Sequence, residues 1–203
     1  MNAMPICFAL NKPFGVLSQF TSEGGHPGLG SLGLELPTDV YPVGRLDRDS
    51  EGLLLLSNDS KLIHELLEPR HGHPRTYHVQ VEGSVTEEHI ESLVAPMELR
   101  IKKRQHLTRP CKAKIVSQPS VGERIPPIRE RKSISTEWIQ MRLTEGKNRQ
   151  VRKMTAHVGL PTLRLIRTQI GELSLDSLKL QPGEVTLLNA EQTEQALSAG
   201  SQS

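Results

Sequence analysis

The stretch TYHVQVEG (76–83) alternates apolar and polar residues, with Tyr77, Val79 and Val81 on one side and His78, Gln80 and Glu82 on the other. Only an extended chain places every second residue on one face, so this is a strand. TEWIQMRL (136–143) repeats the device with Ile139, Met141 and Leu143. Strands set the terms for everything else in the chain, because each must pair and each needs apolar cover.

Other segments follow from local signals. Ile6–Leu10 reads as a strand, closed by the Pro-Phe-Gly turn of NKPFGV (11–16). Residues 21–39 are rich in Gly, Ser and Pro and read as a loop with one short helical turn. Leu53–Leu56 reads as a short buried strand, although an unbroken apolar run has no period to separate it from a helix. NDSKLIHELLEP (58–69) reads as a helix capped by Asp59 or Ser60 and stopped by Pro69. A second helix opens at Thr86 and runs to about Ala95. Residues 100–134 are basic and proline-bearing, and predict short strands with a long ordered loop. NRQVRKMTAHVG (148–159) predicts a helix with Asn148 as N-cap and Val151, Met154 and Val158 on its apolar face. Residues 163–168 and 184–188 are strand candidates, and residues 190–203 read as a frayed polar tail. Strands in runs with helices between some of them predict an α+β fold with a mostly antiparallel sheet.

The 203 residues suit one domain or two closely packed halves. No apolar run approaches the roughly 18 residues of a membrane span, and MNAMPICFALNKP lacks the pattern of a signal peptide. Cys7 and Cys111, far apart and without metal-ligand spacing, fit a reduced cytoplasmic compartment. Net charge is only +2, but residues 142–167 hold seven Lys/Arg against one acid, and residues 168–203 hold one against five. That asymmetry suggests a local polyanion site, although charge runs are commonly solvated faces.

The chemistry concentrates in GRLDRDSEGLLLL (44–56). Arg45 and Arg48 flank Asp47 and favour its ionised form. An ionised aspartate is a poor general acid and a reasonable nucleophile or anchor, but turn aspartates are common and catalytic ones rare, so these residues alone favour one that shapes a turn. The pair Asp47 and Glu51 does not suit a glycosidase, because arginines nearby oppose the raised pKa that one carboxyl needs. Lys147, Arg149, Arg152 and Lys153, with Asn148, cluster at a helix N-terminus, where phosphates can be held. Six aromatic residues in the whole chain make a stacking platform for single strands improbable. His64, His71, His73 and His78 lack an acidic or cysteine partner at ligand spacing, so no metal is expected.

Three segments together resemble the pseudouridine synthases, in the branch that acts on small- and large-subunit ribosomal RNA. GRLDRDSEGLLLLSND (44–59) resembles the family's first motif, RTYHVQVEG (75–83) the one that follows, and LTEGKNRQVRKMTAHVGLPTLRLIRTQIGELSL (143–175) the C-terminal one. PPIRERKSISTEW (126–138) is similar to an insertion of a large-subunit subtype that lacks an S4-type RNA-binding domain. The resemblance implies a bent, mixed, largely antiparallel sheet in two subdomains with a central cleft. It implies a catalytic domain over residues 1–189, without an N-terminal S4 domain. Asp47 matches the nucleophile, Tyr77 the residue handling the proton at C5, Arg152 the aspartate's basic partner, and Arg45 an arginine that helps displace the base. Contacts to RNA would fall to Lys12, Arg45, Arg48, Arg129, Arg131, Lys132, Lys147, Asn148, Arg149, Lys153, Arg164 and Arg167. No metal or organic cofactor is implied. The implied partner is large-subunit ribosomal RNA, free or in pre-ribosomal particles, met by a cytoplasmic monomer. A small-subunit target, or a binding factor that does not catalyse, are the alternatives.

Overall fold

Leu53–Leu56 form the middle of a seven-residue strand in which every residue is buried. With both faces covered, the strand needs no alternation, which is why its sequence shows none. The computed structural model describes residues 5–128 and 134–198. In chain order the elements are β1 (Cys7–Lys12), β2 (Tyr41–Pro42), β3 (Glu51–Ser57), α1 (Ser60–Leu67), β4 (Arg75–Glu82), α2 (Glu87–Val94), β5 (Glu98–Ile101), β6 (Arg104–Leu107) and β7 (Lys112–Val116). They continue with β8 (Thr136–Leu143), α3 (Gln150–His157), β9 (Thr162–Ile170), β10 (Leu173–Ser174), α4 (Leu175–Leu178), β11 (Val185–Leu187) and α5 (Ala190–Leu197). One turn of 3-10 helix, Leu29–Leu32, interrupts the loop after β1. The fold is α+β with mostly antiparallel pairing, and among the described residues no helix is long and apolar enough to cross a membrane.

The chain divides into two compact units, Met1–His73 with Arg167–Ser203, and Pro74–Ile166. In the first, β1 pairs antiparallel with β3 from Cys7↔Ser57 to Lys12↔Gly52, and with β11 through Phe8↔Leu187. Strand β10 pairs with the end of β9. Cys7, Ala9, Leu53 and Leu55 build the core, α1 adds Leu62 and Leu66, and the returning chain adds Ile170, Leu173 and Leu188. Asp59 caps α1 by accepting from the backbone amides of Lys61 and Leu62.

In the second unit β4 and β8 pair over their whole length, from Arg75↔Leu143 to Glu82↔Thr136, and β7 covers the other edge of β8. Val79, Val81, Ile139 and Met141 are fully buried, as alternation requires. Thr86 caps α2, with its backbone amide donating in return to Nδ1 of His89. The hairpin β5–β6 turns through Lys102 and Lys103, both at positive φ (47° and 67°). A two-residue turn of this kind normally carries Asn or Gly, so its sequence gives no signal.

Two expectations change here. Residues 190–197 are not a frayed tail but helix α5, capped by Asn189 and Gln192, with Ala196 buried in the core of the first unit; residues 199–203 lie outside the described residues. Asn148 does not cap α3. Arg149 holds that position in the left-handed region at φ 53° with no side-chain cap bond. Gln150, the first helical residue, instead braces the turn before the helix, accepting from the backbone amide of Lys147 at 2.9 Å and donating to Glu145 Oε1 at 2.6 Å.

Candidate active site

The loop that carries Asp47 is fixed from several sides. The backbone amide of Ser50 donates to the main-chain carbonyl of Asp47 at 3.0 Å, so main chain closes the turn. Ser18 clamps the preceding residue, its hydroxyl donating to the carbonyl of Leu46 at 2.8 Å while accepting from the Leu46 amide at 3.0 Å. Gly15 donates its amide to the carbonyl of Arg48 at 2.8 Å. Asp47 itself is half-buried, and Arg45 and Arg48 are exposed beside it. Arg48 Nη1 lies 3.4 Å from Nδ1 of His26.

Beneath this loop lies a group of buried charges. Lys12 is 0% exposed, and its ammonium donates to the carbonyls of Pro13 at 2.8 Å and Val16 at 2.7 Å. Burial pushes its pKa down from 10.5 to about 8, against the pull of Glu51, Asp49 and Asp47 and with the push of Arg167. Glu51 and Arg167 are buried too, and Arg167 Nε donates to the carbonyl of Leu53 at 2.7 Å. The approach is possible because residue 52 is glycine: at φ 104°, a Cβ there would lie 2.3 Å from the carbonyl oxygen of Arg167.

Tyr77 lies on β4 and is buried at 8% exposure. Arg152 lies on α3, half-buried, with Nη1 donating to the carbonyl of Thr162 at 3.4 Å. Asp47 thus belongs to the first unit, and Tyr77 and Arg152 to the second. Lys147, Asn148 and Arg149 are exposed at the start of α3. Lys153 donates to the carbonyl of Arg100 at 2.7 Å.

Several of the predicted RNA contacts fall elsewhere. Lys12 is sealed in the core, so its ammonium serves the Pro13–Val16 turn rather than a phosphate. Arg164 and Arg167 are buried at 7% and 4% exposure, and Arg164 donates to the carbonyl of Gly122 at 2.8 Å. They are not solvated cations, because both lie in Arg164–Arg167, the buried middle of β9. Arg129, Arg131 and Lys132 lie outside the described residues. Sequence reasoning missed Ser18 and Gln150, whose roles depend on partners far along the chain or on a helix start without a standard cap. It also missed Glu65, which the fold brings to His71 and His73: one ligand atom from each lies within 4.8 Å of the other two. Cys7 and Cys111 are free and buried, and burial pushes their thiols up to about 12 and about 11.

Residues 6–157 match the family model described as RNA pseudouridylate synthase. The chain is 48% identical over 170 residues to Ribosomal large subunit pseudouridine synthase E of Xanthomonas axonopodis pv. citri (strain 306), covering 83% of this chain and 87% of that protein. It is 33% identical over 192 residues to Ribosomal large subunit pseudouridine synthase B of Bacillus subtilis (strain 168), covering 92% and 72%. A solved structure titled "Crystal structure of pseudouridylate synthase" superposes with a TM-score of 0.75 at 26% identity, covering 95% of this chain and 74% of that one. Sequence similarity from β1 to α3 and a backbone shared over nearly the full length lead to one conclusion: this chain belongs to the RNA pseudouridylate synthase family, and is an isomerase.

Proposed function

We propose that the chain converts a uridine of large-subunit ribosomal RNA to pseudouridine, with Asp47 as its nucleophile. The reaction breaks the bond from C1′ to N1, turns the uracil over and joins C1′ to C5. Substrate and product are isomers: the proton lost from C5 is balanced by one gained at N1. No group donor and no electron acceptor is needed, so side chains suffice. Asp47 attacks the ribose or assists elimination to a glycal, and both routes return it as a carboxylate. Tyr77 handles the proton at C5, and Arg152 supplies positive charge to the same chemistry. The target nucleotide must leave its stack, which costs a few kcal/mol; Arg45 and Arg48, with Lys147, Asn148, Arg149 and Lys153, contact the RNA around it. The enzyme works in the cytoplasm as a monomer, on free RNA or a pre-ribosomal particle.

The observation that carries this reading is the bracing around Asp47. Ser18, Gly15 and Ser50 hold the main chain on both sides of it, the preorganisation a nucleophile requires. The name of the 48%-identical relative supports the large-subunit target. Asp47→Asn should lower turnover by more than about 10³-fold while RNA affinity stays within about twofold. Single-turnover assays beside filter binding check this. Persistent turnover would remove Asp47 from the chemistry, and absence of turnover in the wild type would favour a binding factor. Pseudouridine mapping in cells lacking the gene identifies the uridine: a large-subunit site should vanish, and loss of a small-subunit site would redirect the target.

A further inference from the structure

We propose that Glu65, His71 and His73 form a three-ligand site for a divalent transition-metal ion of the zinc type, separate from the chemistry of Asp47. Helix α1 ends at Leu67, and the chain folds back over its last turn. The amide of His71 donates to the carbonyl of Glu68 at 3.1 Å, and Gly72 turns in the left-handed region at φ 59°. That return sets two imidazoles on one carboxylate oxygen: His71 Nδ1 lies 3.1 Å and His73 Nε2 3.7 Å from Glu65 Oε1, and Nδ1 also donates to the Glu65 main-chain carbonyl at 3.0 Å, a bond that a bound ion would displace.

Ligand atoms about 2.0–2.1 Å from a tetrahedral zinc stand roughly 3.3–3.4 Å apart. The two distances bracket that edge, and the two imidazole nitrogens, within 4.8 Å of each other, would close onto the ion as it binds. A single imidazole beside Glu65 would make an ordinary surface ion pair, which contributes little. A second imidazole on the same oxygen, with a side chain only 5% exposed, adds a rigid arm that such a pair does not need. The rings stand at 80° with centroids 5.9 Å apart, edge to face, as two ligands pointing at a common ion can. Two nitrogens and one oxygen favour zinc over magnesium or calcium, which take oxygen ligands. Water would complete the tetrahedron from the open side, where Glu65 and His71 are 46% and 37% exposed. The buried thiols of Cys7 and Cys111, held neutral, offer no competing site.

The test is calorimetric titration of zinc chloride into the metal-stripped full chain, with Glu65→Gln and His71→Gln as variants. Both side chains are partly exposed, so the fold survives their replacement, and circular dichroism checks it. One zinc per chain should bind with micromolar affinity or better, and each variant should weaken it by at least about tenfold. Zinc should raise the melting temperature of the wild type and not of the variants, and magnesium should do neither. Equal zinc affinity in all three chains overturns the site. No saturable binding to the wild type, or equal binding of magnesium, overturns it as well and leaves an ion pair.

Discussion

Lys12 and Gly52 lie opposite each other in the β1–β3 register, and both are dictated by what the Asp47 loop rests on. The fold holds the Lys12 ammonium in the core, with a pKa of about 8 against 10.5 when exposed. Below pH 8 folded and unfolded chains both carry the proton, and the full burial cost applies, on the order of 3 kcal/mol. Between pH 8 and 10.5 the unfolded chain binds a proton that the folded chain releases, so stability rises with pH. Lys12→Met lacks this titration. Urea denaturation from pH 7 to 10.5 should show wild type gaining on the variant above pH 8, and parallel curves would refute the shift. Gly52→Ala sets a methyl against the Arg167 backbone and should cost about 3 kcal/mol or more, read as a lower urea midpoint. Neither role was legible in the sequence. A lysine after a strand looks solvated until β3 covers it, and a glycine before a leucine run looks like a turn.

At the scale of elements, legibility followed local physics. The bounds of β8, the Thr86 cap and the Asp59 cap were readable because alternation and capping are local patterns. The start of α3 was not, since Gln150 there borrows a partner, Glu145, from across the turn. Helix α5 was hidden because its composition is polar and its anchoring is tertiary. The amide of Glu172 donates to the carbonyl of Gln195 at 2.7 Å, and a Cβ on Gly171 would lie 2.5 Å from the carbonyl of Ala196. The helix therefore belongs to the first unit's core. Ending the chain at Leu188 should lower the melting temperature by roughly 5–10 °C. An unchanged thermal scan would return these residues to the status of a tail.

For the molecule as a whole, the local excess of Lys and Arg over residues 142–167 divides once the fold is known. Lys147 and Arg149 face solvent, whereas Arg164 and Arg167 are buried. RNA binding should weaken steeply with salt, and Lys147→Ala with Arg149→Ala should reduce the slope of log affinity against log salt by about 0.7–0.9 for each phosphate no longer neutralised. An unchanged slope would place the RNA elsewhere. The two-part construction of the first unit was out of reach of sequence reading, because its halves lie either side of the 93 residues Pro74–Ile166. It also sets a timetable for synthesis. The second unit is continuous, so its residues emerge from the ribosome in one uninterrupted stretch. The first is not: β1 receives β11, and Cys7 and Ala9 meet Leu188 and Ala196, only when nearly all the chain has emerged. At ~5–20 residues per second the amino-terminal half-unit waits roughly 5–20 s for residue 167 alone, so the buried charges beneath the Asp47 loop are completed by Arg167 only late in synthesis.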